Sequence, residues 1–250
     1  MSVYERALSS DIASESPELQ AALVRQLDAL AEDNRGCGTS DALISRGDRV
    51  VSSILLPSMR WRAGKASARV RYQACVALGT LLRGGSDAAA AAVRAHSQGI
   101  STILSCLEED QAADTRRASC HIIENLLLLN GYQLSEEERR LVYPALLRRM
   151  DDAKPEIRIN AAAAIGSFIQ TMGYQYCDTN ARYLFEGFLV HMDDPNEQLR
   201  TEVQSSLATA VPMKPSLLKA VLQSARTKHR SPQLCDELIA QCDEMMARDK

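Results

Sequence analysis

Aromatic residues are scarce in this chain, with one tryptophan, three phenylalanines and seven tyrosines among 250 residues. That shortage argues against a stacked-base or carbohydrate platform and against a polar, aromatic-lined enzyme pocket. No apolar run reaches 18 residues, and the opening MSVYERALSSDIASESPE has no apolar core of a secretion signal, so neither a membrane span nor a signal peptide is expected. The expected location is the cytosol or nucleus. Seven cysteines (37, 75, 106, 120, 177, 235, 242) make an odd count without a C-x-x-C pair. Cys75, Cys106 and Cys120 fall in predicted helices, where a reduced thiol packs as a small hydrophobe. No spacing offers four converging zinc ligands, and neither a metal nor a cofactor is expected. Phosphate loops, Ser-His-Asp spacings and paired-acid constellations are also missing, so the chain reads as non-enzymatic.

Acid is absent from one long stretch. Between Arg49 and Ser86 there is no aspartate or glutamate, while Arg49, Arg60, Arg62, Lys65, Arg69, Arg71 and Arg83 supply seven positive charges. The formal net charge is −3, so the rest of the chain carries 22 basic against 32 acidic residues, or −10. A basic segment in an acidic protein suits an acidic partner, and with Trp61 and Tyr72 inside it, nucleic acid is the other candidate. Arg60, Arg62, Lys65 and Arg69 are the candidate contact residues. Against this, residues 1 to 48 carry nine acids and four bases, a net −5 that would offset most of the segment's +7.

What the sequence has in quantity is a repeat. In DDAKPEIRINAAAAIGSFIQTM (151 to 172), Pro155 suits a first helical turn, and Ile157, Ala161, Ala164, Ile165, Phe168 and Ile169 recur at steps of three and four. Such an apolar face needs a neighbouring helix, and the alanines let that helix come close. Arg116, Arg158 and Arg200 each follow an aspartate by six residues, namely Asp110, Asp152 and Asp194, and both registers step by 42. One unit earlier, VRYQACVALGTLL around Arg71 aligns with IRINAAAAIGSFI, and Pro57 precedes Arg71 by the 14 residues that separate Pro144 from Arg158; Lys65 stands where the aspartate belongs. A period of 42 to 45 residues with two helices per unit is that of HEAT or armadillo repeats, so the expected fold is an all-α solenoid of stacked antiparallel helix pairs. Stacking should set the aspartates and arginines into a ladder of hydrogen bonds between neighbouring units, a structural device that needs no ligand.

Taken in order, residues 1 to 48 form a polar segment with one helix from Pro17 to about Asp33. Repeat units follow at about 49–83, 86–130, 135–172, 179–210 and 215–247. Ser86 is expected to start a helix that kinks at Gly99 and runs to Glu109. A helix from about Thr115 should stop at Asn130-Gly131. Ser135 and Glu138 have the spacing of a capping box. Residues 174 to 180 read as a loop, and Asp194-Pro195-Asn196-Glu197 as an N-cap, a first-turn proline and an acidic third position. Asp236, Glu237, Asp243 and Glu244 suit a polar outer face on the last helix. The four histidines (96, 121, 191, 229) are followed by Ser97, Ile122, Met192 and Arg230, so the His-Glu pairs of a metal-dependent hydroxylase on such a scaffold are missing. His121 reads as a packed side chain with one hydrogen bond.

YLFEGFLVHMDDPNEQLRTEVQSSL (183 to 207) and KHRSPQLCDELI (228 to 239) resemble the C-terminal region of the HEAT-repeat axonemal dynein assembly factors. The resemblance implies a non-enzymatic adaptor in cytoplasmic preassembly of ciliary and flagellar dynein arms. It further implies protein partners: dynein intermediate or heavy chains, chaperones and other assembly factors. It supplies no contact residues, because the matching positions read as helix caps and core. The alternative that the charges raise is a HEAT-repeat adaptor that binds nucleic acid or an acidic partner through the basic first repeat.

Overall fold

The computed structural model describes residues 21–22, 24–26, 28–29, 46–108 and 110–248, and among them every regular element is helical. The described residues between 21 and 29 are helical; the rest of the expected Pro17–Asp33 helix and the polar segments around it lie outside the described residues, as does Cys37. The fold is an all-α solenoid. Its contacts divide into two compact units, Met1–Asn130 and Gly131–Lys250.

In the first unit, α1 (Gly47–Val50) passes through a π-helical turn, Val51–Leu55, into α2 (Leu56–Met59). Pro57 has no N–H to give and its ring crowds the carbonyl four residues back, and the wider turn just before it makes room. Then come α3 (Lys65–Arg83), α4 (Asp87–Ala95), α5 (Gly99–Glu108) and α6 (Ala113–Asn130). Helices α3 and α6 lie side by side as one layer, with α1, α2, α4 and α5 against them as the other. Ser86 caps α4 as expected, accepting from the Ala89 N–H. At Gly99 the chain breaks instead of kinking: α4 ends at Ala95, and α5 restarts at Gly99 with the Gly99 N–H bonded to the His96 carbonyl. A Cβ on Gly99 would lie 1.8 Å from the Val93 carbonyl oxygen, so this close return of the chain requires glycine.

The second unit opens with a 3-10 turn, Gly131–Gln133, where the sequence suggested a plain stop. It continues through α7 (Glu136–Arg149), α8 (Pro155–Thr171), α9 (Asp178–Leu189) with a 3-10 extension Val190–Asp193, α10 (Glu197–Ala208), α11 (Pro215–Arg226) and α12 (Pro232–Arg248). Helices α8, α10 and α12 form one layer, and α7, α9 and α11 the other. The Ser135–Glu138 capping box forms in full. Two local expectations are corrected. Helix α9 begins inside the expected 174–180 loop, because Asp178 is already in its first turn. The cap of α10 is Asn196, which accepts from the Leu199 N–H, while Asp194 turns the chain one step earlier by accepting from the Asn196 N–H.

The alanine run does what its composition allows. On α8, Ala161, Ala162, Ala164, Ile165 and Gly166 are buried, and from the neighbouring α10 Ser206 Oγ donates to the Ala162 carbonyl at 3.1 Å. A Cβ on Gly166 would meet that Oγ at 2.5 Å. All three phenylalanines of the sequence, Phe168, Phe185 and Phe188, are buried in this unit, so the first unit has an aliphatic core.

Candidate functional site

The Asp-Arg register builds the turns that lead into α6, α8 and α10. Arg116, Arg158 and Arg200 each donate through Nη1 to the main-chain carbonyl of the aspartate six residues before, at 3.0, 3.0 and 2.8 Å. Each aspartate carboxylate in turn accepts from the N–H two residues on, at Ala112, Lys154 and Asn196. The expected rungs between neighbouring repeats form within both units: Arg71 Nε to Asp110 Oδ2 at 2.8 Å, and Arg158 Nη2 to Asp194 Oδ1 at 3.4 Å. The first is almost dry, with side-chain exposures of 6% and 3%. Arg71 also donates through Nη1 to the Arg62 carbonyl at 2.9 Å, so this rung fixes the loop that leads into α3.

Along α3 the outward residues are Lys65, Arg69, Tyr72, Val76, Gly79 and Arg83, a stripe spaced by three and four. With Arg117, Ala118 and Asn125 of α6, the stretch from Tyr72 to Arg83 lines an open cleft of about 450 Å³. Its lining mixes small and apolar side chains such as Val76 and Ala118 with charged ones: Arg117 pairs with Asp114 at 3.5 Å, and His121 Nδ1 lies 3.5 Å from Glu124 Oε2. His121 is therefore an exposed groove residue and not the packed side chain expected, because stacking turns this face of α6 outward. A Cβ on Gly79 would meet only Ile122, at 3.8 Å, which leaves a low place in the ridge where another backbone can approach.

The four candidate contact residues, Arg60, Arg62, Lys65 and Arg69, are exposed around the loop between α2 and α3, beside that groove. Only Lys65 and Arg69 continue its stripe. Sequence reasoning found the basic edge from missing acid but did not single out Gly79, Arg117 or Asn125; the exposed heptad-like spacing of α3 was the available signal.

In the second unit the outer layer carries two clefts that share Glu186, one between α7 and α9 of about 480 Å³ and one between α9 and α11 of about 470 Å³. Tyr183 and Val190 are exposed on them. Half-buried His191 lies here, and burial pushes its pKa below the usual imidazole value, against the pull of Asp151 and Asp194. No group of three or more metal-ligating side chains occurs among the described residues. No described helix is long and apolar enough to cross a membrane. On α12 the acids face water as expected: Glu237, Asp243 and Glu244 are exposed and Asp236 is half-exposed. At that surface Asp236 also pairs with Arg226 and Asp243 with Lys219, both on α11.

Of the described cysteines, Cys75, Cys106, Cys120, Cys235 and Cys242 are buried, and Cys177 is exposed at the N-cap of α9. Hydrogen bonding between Cys75 and Cys106, then burial, raises the Cys75 thiol well above its ordinary pKa, and burial pushes Cys242 up to about 11. The N–H groups of Asn180 and Thr179 favour the thiolate of Cys177 and lower its pKa. Iodoacetamide at neutral pH is therefore expected to label Cys177 before any of these five, and peptide mapping of a brief reaction checks the order. Prior labelling of Cys75 or Cys242 would contradict it.

A HEAT repeat profile matches residues 142–172, the last two turns of α7 and the whole of α8. The sequence is 29% identical over 204 residues to dynein axonemal assembly factor 5 of Mus musculus, covering 80% of this chain and 24% of that protein. The Xenopus laevis protein of the same name is 29% identical over 193 residues, 76% of this chain and 23% of its own length. The chain thus spans about a quarter of the length of the curated relatives it matches. Among solved structures, a computationally designed armadillo repeat protein for modular peptide recognition is similar with a TM-score of 0.61 at 16% identity, covering 97% of this chain and 98% of that one. Kap121p is similar with a TM-score of 0.59 at 12% identity, covering 93% of this chain and 26% of that one. These structural likenesses establish the fold alone. The chain is an all-α HEAT-type solenoid whose sequence, as its C-terminal motifs led us to expect, resembles the dynein axonemal assembly factors.

Proposed function

We propose that this chain is a non-enzymatic scaffold in the cytoplasmic preassembly of axonemal dynein arms, built of repeat units near 49–83, 86–130, 135–172, 179–210 and 215–247. It holds dynein intermediate or heavy chains, with chaperones or other assembly factors as further partners. The observation that carries this reading is the 29% identity, across about three-quarters of the chain, to proteins named for dynein assembly. The groove between α3 and α6 supports it physically. An open channel of mixed polar and apolar lining between two neighbouring helices can grip an extended segment by many weak contacts and release it later, which suits transient custody of an incomplete assembly.

Affinity capture from ciliated-cell cytosol tests the reading. Tagged chain is expected to enrich dynein subunits above an unrelated HEAT protein, and an eluate no richer than the control would overturn the proposal. Gly79 separates groove from fold in the same experiment. Gly79→Ala relieves a glycine inside a helix where the new Cβ has room, and is expected to raise unfolding free energy by about 0.5–1 kcal/mol. Gly79→Trp should keep the melting temperature near that of the parent while filling the channel and reducing capture.

A further inference from the structure

The only tryptophan of the sequence, Trp61, stands 61% exposed in the extended loop between α2 and α3. Arg60 and Arg62 flank it, Lys65 and Arg69 follow on the next turns, and α3 has no acid in its first turn. Among the described residues, Arg62, Lys65 and Arg69 make no ion pair through their side chains, and Arg60 reaches only the Gln98 amide, at 3.5 Å. Asp110, which reaches this loop through Arg71, is engaged: its two oxygens take Arg71 Nε and the Ala112 N–H. Among the described residues, four cations and an indole thus face outward with no carboxylate paired to them.

The loop is nonetheless firmly set. Arg71, itself buried, donates to the Arg62 carbonyl, and Gly64 at φ 100° makes the turn into α3 without strain. A preformed loop loses little conformational freedom on binding, and tryptophan and arginine are the residue types that most often anchor protein interfaces.

We propose that Arg60, Trp61, Arg62, Lys65 and Arg69 form a docking site for an acidic protein segment, which lays an apolar side chain on Trp61 and carboxylates against the four cations. Charge complementarity selects the occupant. A nucleic acid is the less fitting polyanion, because four cations give a short phosphate track, a single ring makes no stacking platform, and the whole chain is net negative. The site does not depend on the dynein-assembly reading, and its test uses no ciliary component.

The full chain is titrated at low ionic strength with a short fluorescein-labelled peptide of Glu and Asp carrying leucine at every fourth position. The controls are its Lys/Arg counterpart and a single-stranded oligonucleotide of equal charge. Anisotropy reads affinity, and with unlabelled peptide the emission of the sole tryptophan reads the site. The acidic peptide is expected to bind, to shift Trp61 emission and to dissociate as salt rises, while the basic peptide stays free. Arg60→Glu with Arg62→Glu is expected to weaken binding by at least about tenfold through like-charge repulsion, and Trp61→Ala to weaken it without altering the salt dependence. Lys65→Gln with Arg69→Gln supplies an independent pair should the first variant fold poorly. Absence of binding, equal binding of the basic peptide, tighter binding of the oligonucleotide, or undiminished binding by variants that melt normally would each overturn the proposal.

Discussion

Arg71→Ala is expected to lower the unfolding free energy by about 3–5 kcal/mol, the cost of stranding one member of a buried ion pair. Arg71 and Asp110 are 6% and 3% exposed, and the partner left behind cannot be hydrated where it sits. The loss has a second component, since the Arg62 carbonyl gives up its donor and the 60–64 loop its anchor. The acidic-peptide affinity of that loop should therefore fall in the same variant. A double replacement separates charge from packing. Arg71→Met with Asp110→Asn keeps the volume and an oxygen for the Ala112 N–H, and is expected to recover most of the loss, because a dry ion pair contributes little beyond what its removal from water costs. Arg158→Ala removes a wetter rung, 17% and 13% exposed at 3.4 Å, and should cost less, about 2 kcal/mol. Thermal and urea unfolding of the full chain checks all three. An Arg71→Ala variant that melts with the parent would remove the ladder from the account of stability.

The ladder was readable in advance because a repeat imposes it. Aspartate and arginine at fixed offsets, 42 residues apart, can only be a turn reproduced from one hairpin to the next. The alanine face of α8 and the Ser135 box were legible for a similar reason, since periodicity and local hydrogen-bond chemistry act within a few residues. What escaped came from stacking. That His121 faces a groove, that Gly79 leaves a gap in its wall and that Asp236 finds Arg226 across the hairpin all depend on which helix lies next door. The break at Gly99 was legible only as a weak point, because the contact with the Val93 carbonyl that forces it is visible in three dimensions alone. The basic edge was found through missing acid, whereas the rigidity that makes it a docking surface comes from Arg71, a residue the repeat had already claimed.

Arg139 was the least legible residue of all, and its removal is the second large effect expected. Within EEERRLVYP it reads as surface charge on a capped helix, yet it is 5% exposed. Its Nη2 donates to the carbonyls of Gly131 at 2.6 Å and Thr171 at 2.7 Å, and its Nε to that of Leu134 at 3.3 Å. The guanidinium lies 5.5 Å from the Phe168 ring centre and 5.8 Å from that of Tyr176. No carboxylate pairs with it among the described residues. Carbonyl dipoles, including those at the C-terminal end of α8, and two ring faces hold the charge instead. Burial lowers the arginine pKa, opposed chiefly by Tyr176, and raises that of the Tyr176 hydroxyl. A guanidinium stays protonated even so, and its contribution should be flat with pH through the neutral range. Arg139→Ala takes a donor from three carbonyls, of which that of Gly131 keeps the Leu134 N–H, and opens a void against Phe168, for an expected loss of about 3–5 kcal/mol. Arg139→Lys should recover only part, because a single ammonium on a flexible stem cannot reproduce a planar fork that spans the 131–134 turn and the end of α8. Arg139→Met decides between packing and polarity. It restores most of the volume and none of the donors, so it should remain close to alanine in a urea titration. A methionine variant as stable as the parent would mean that the rings and not the carbonyls keep this residue inside.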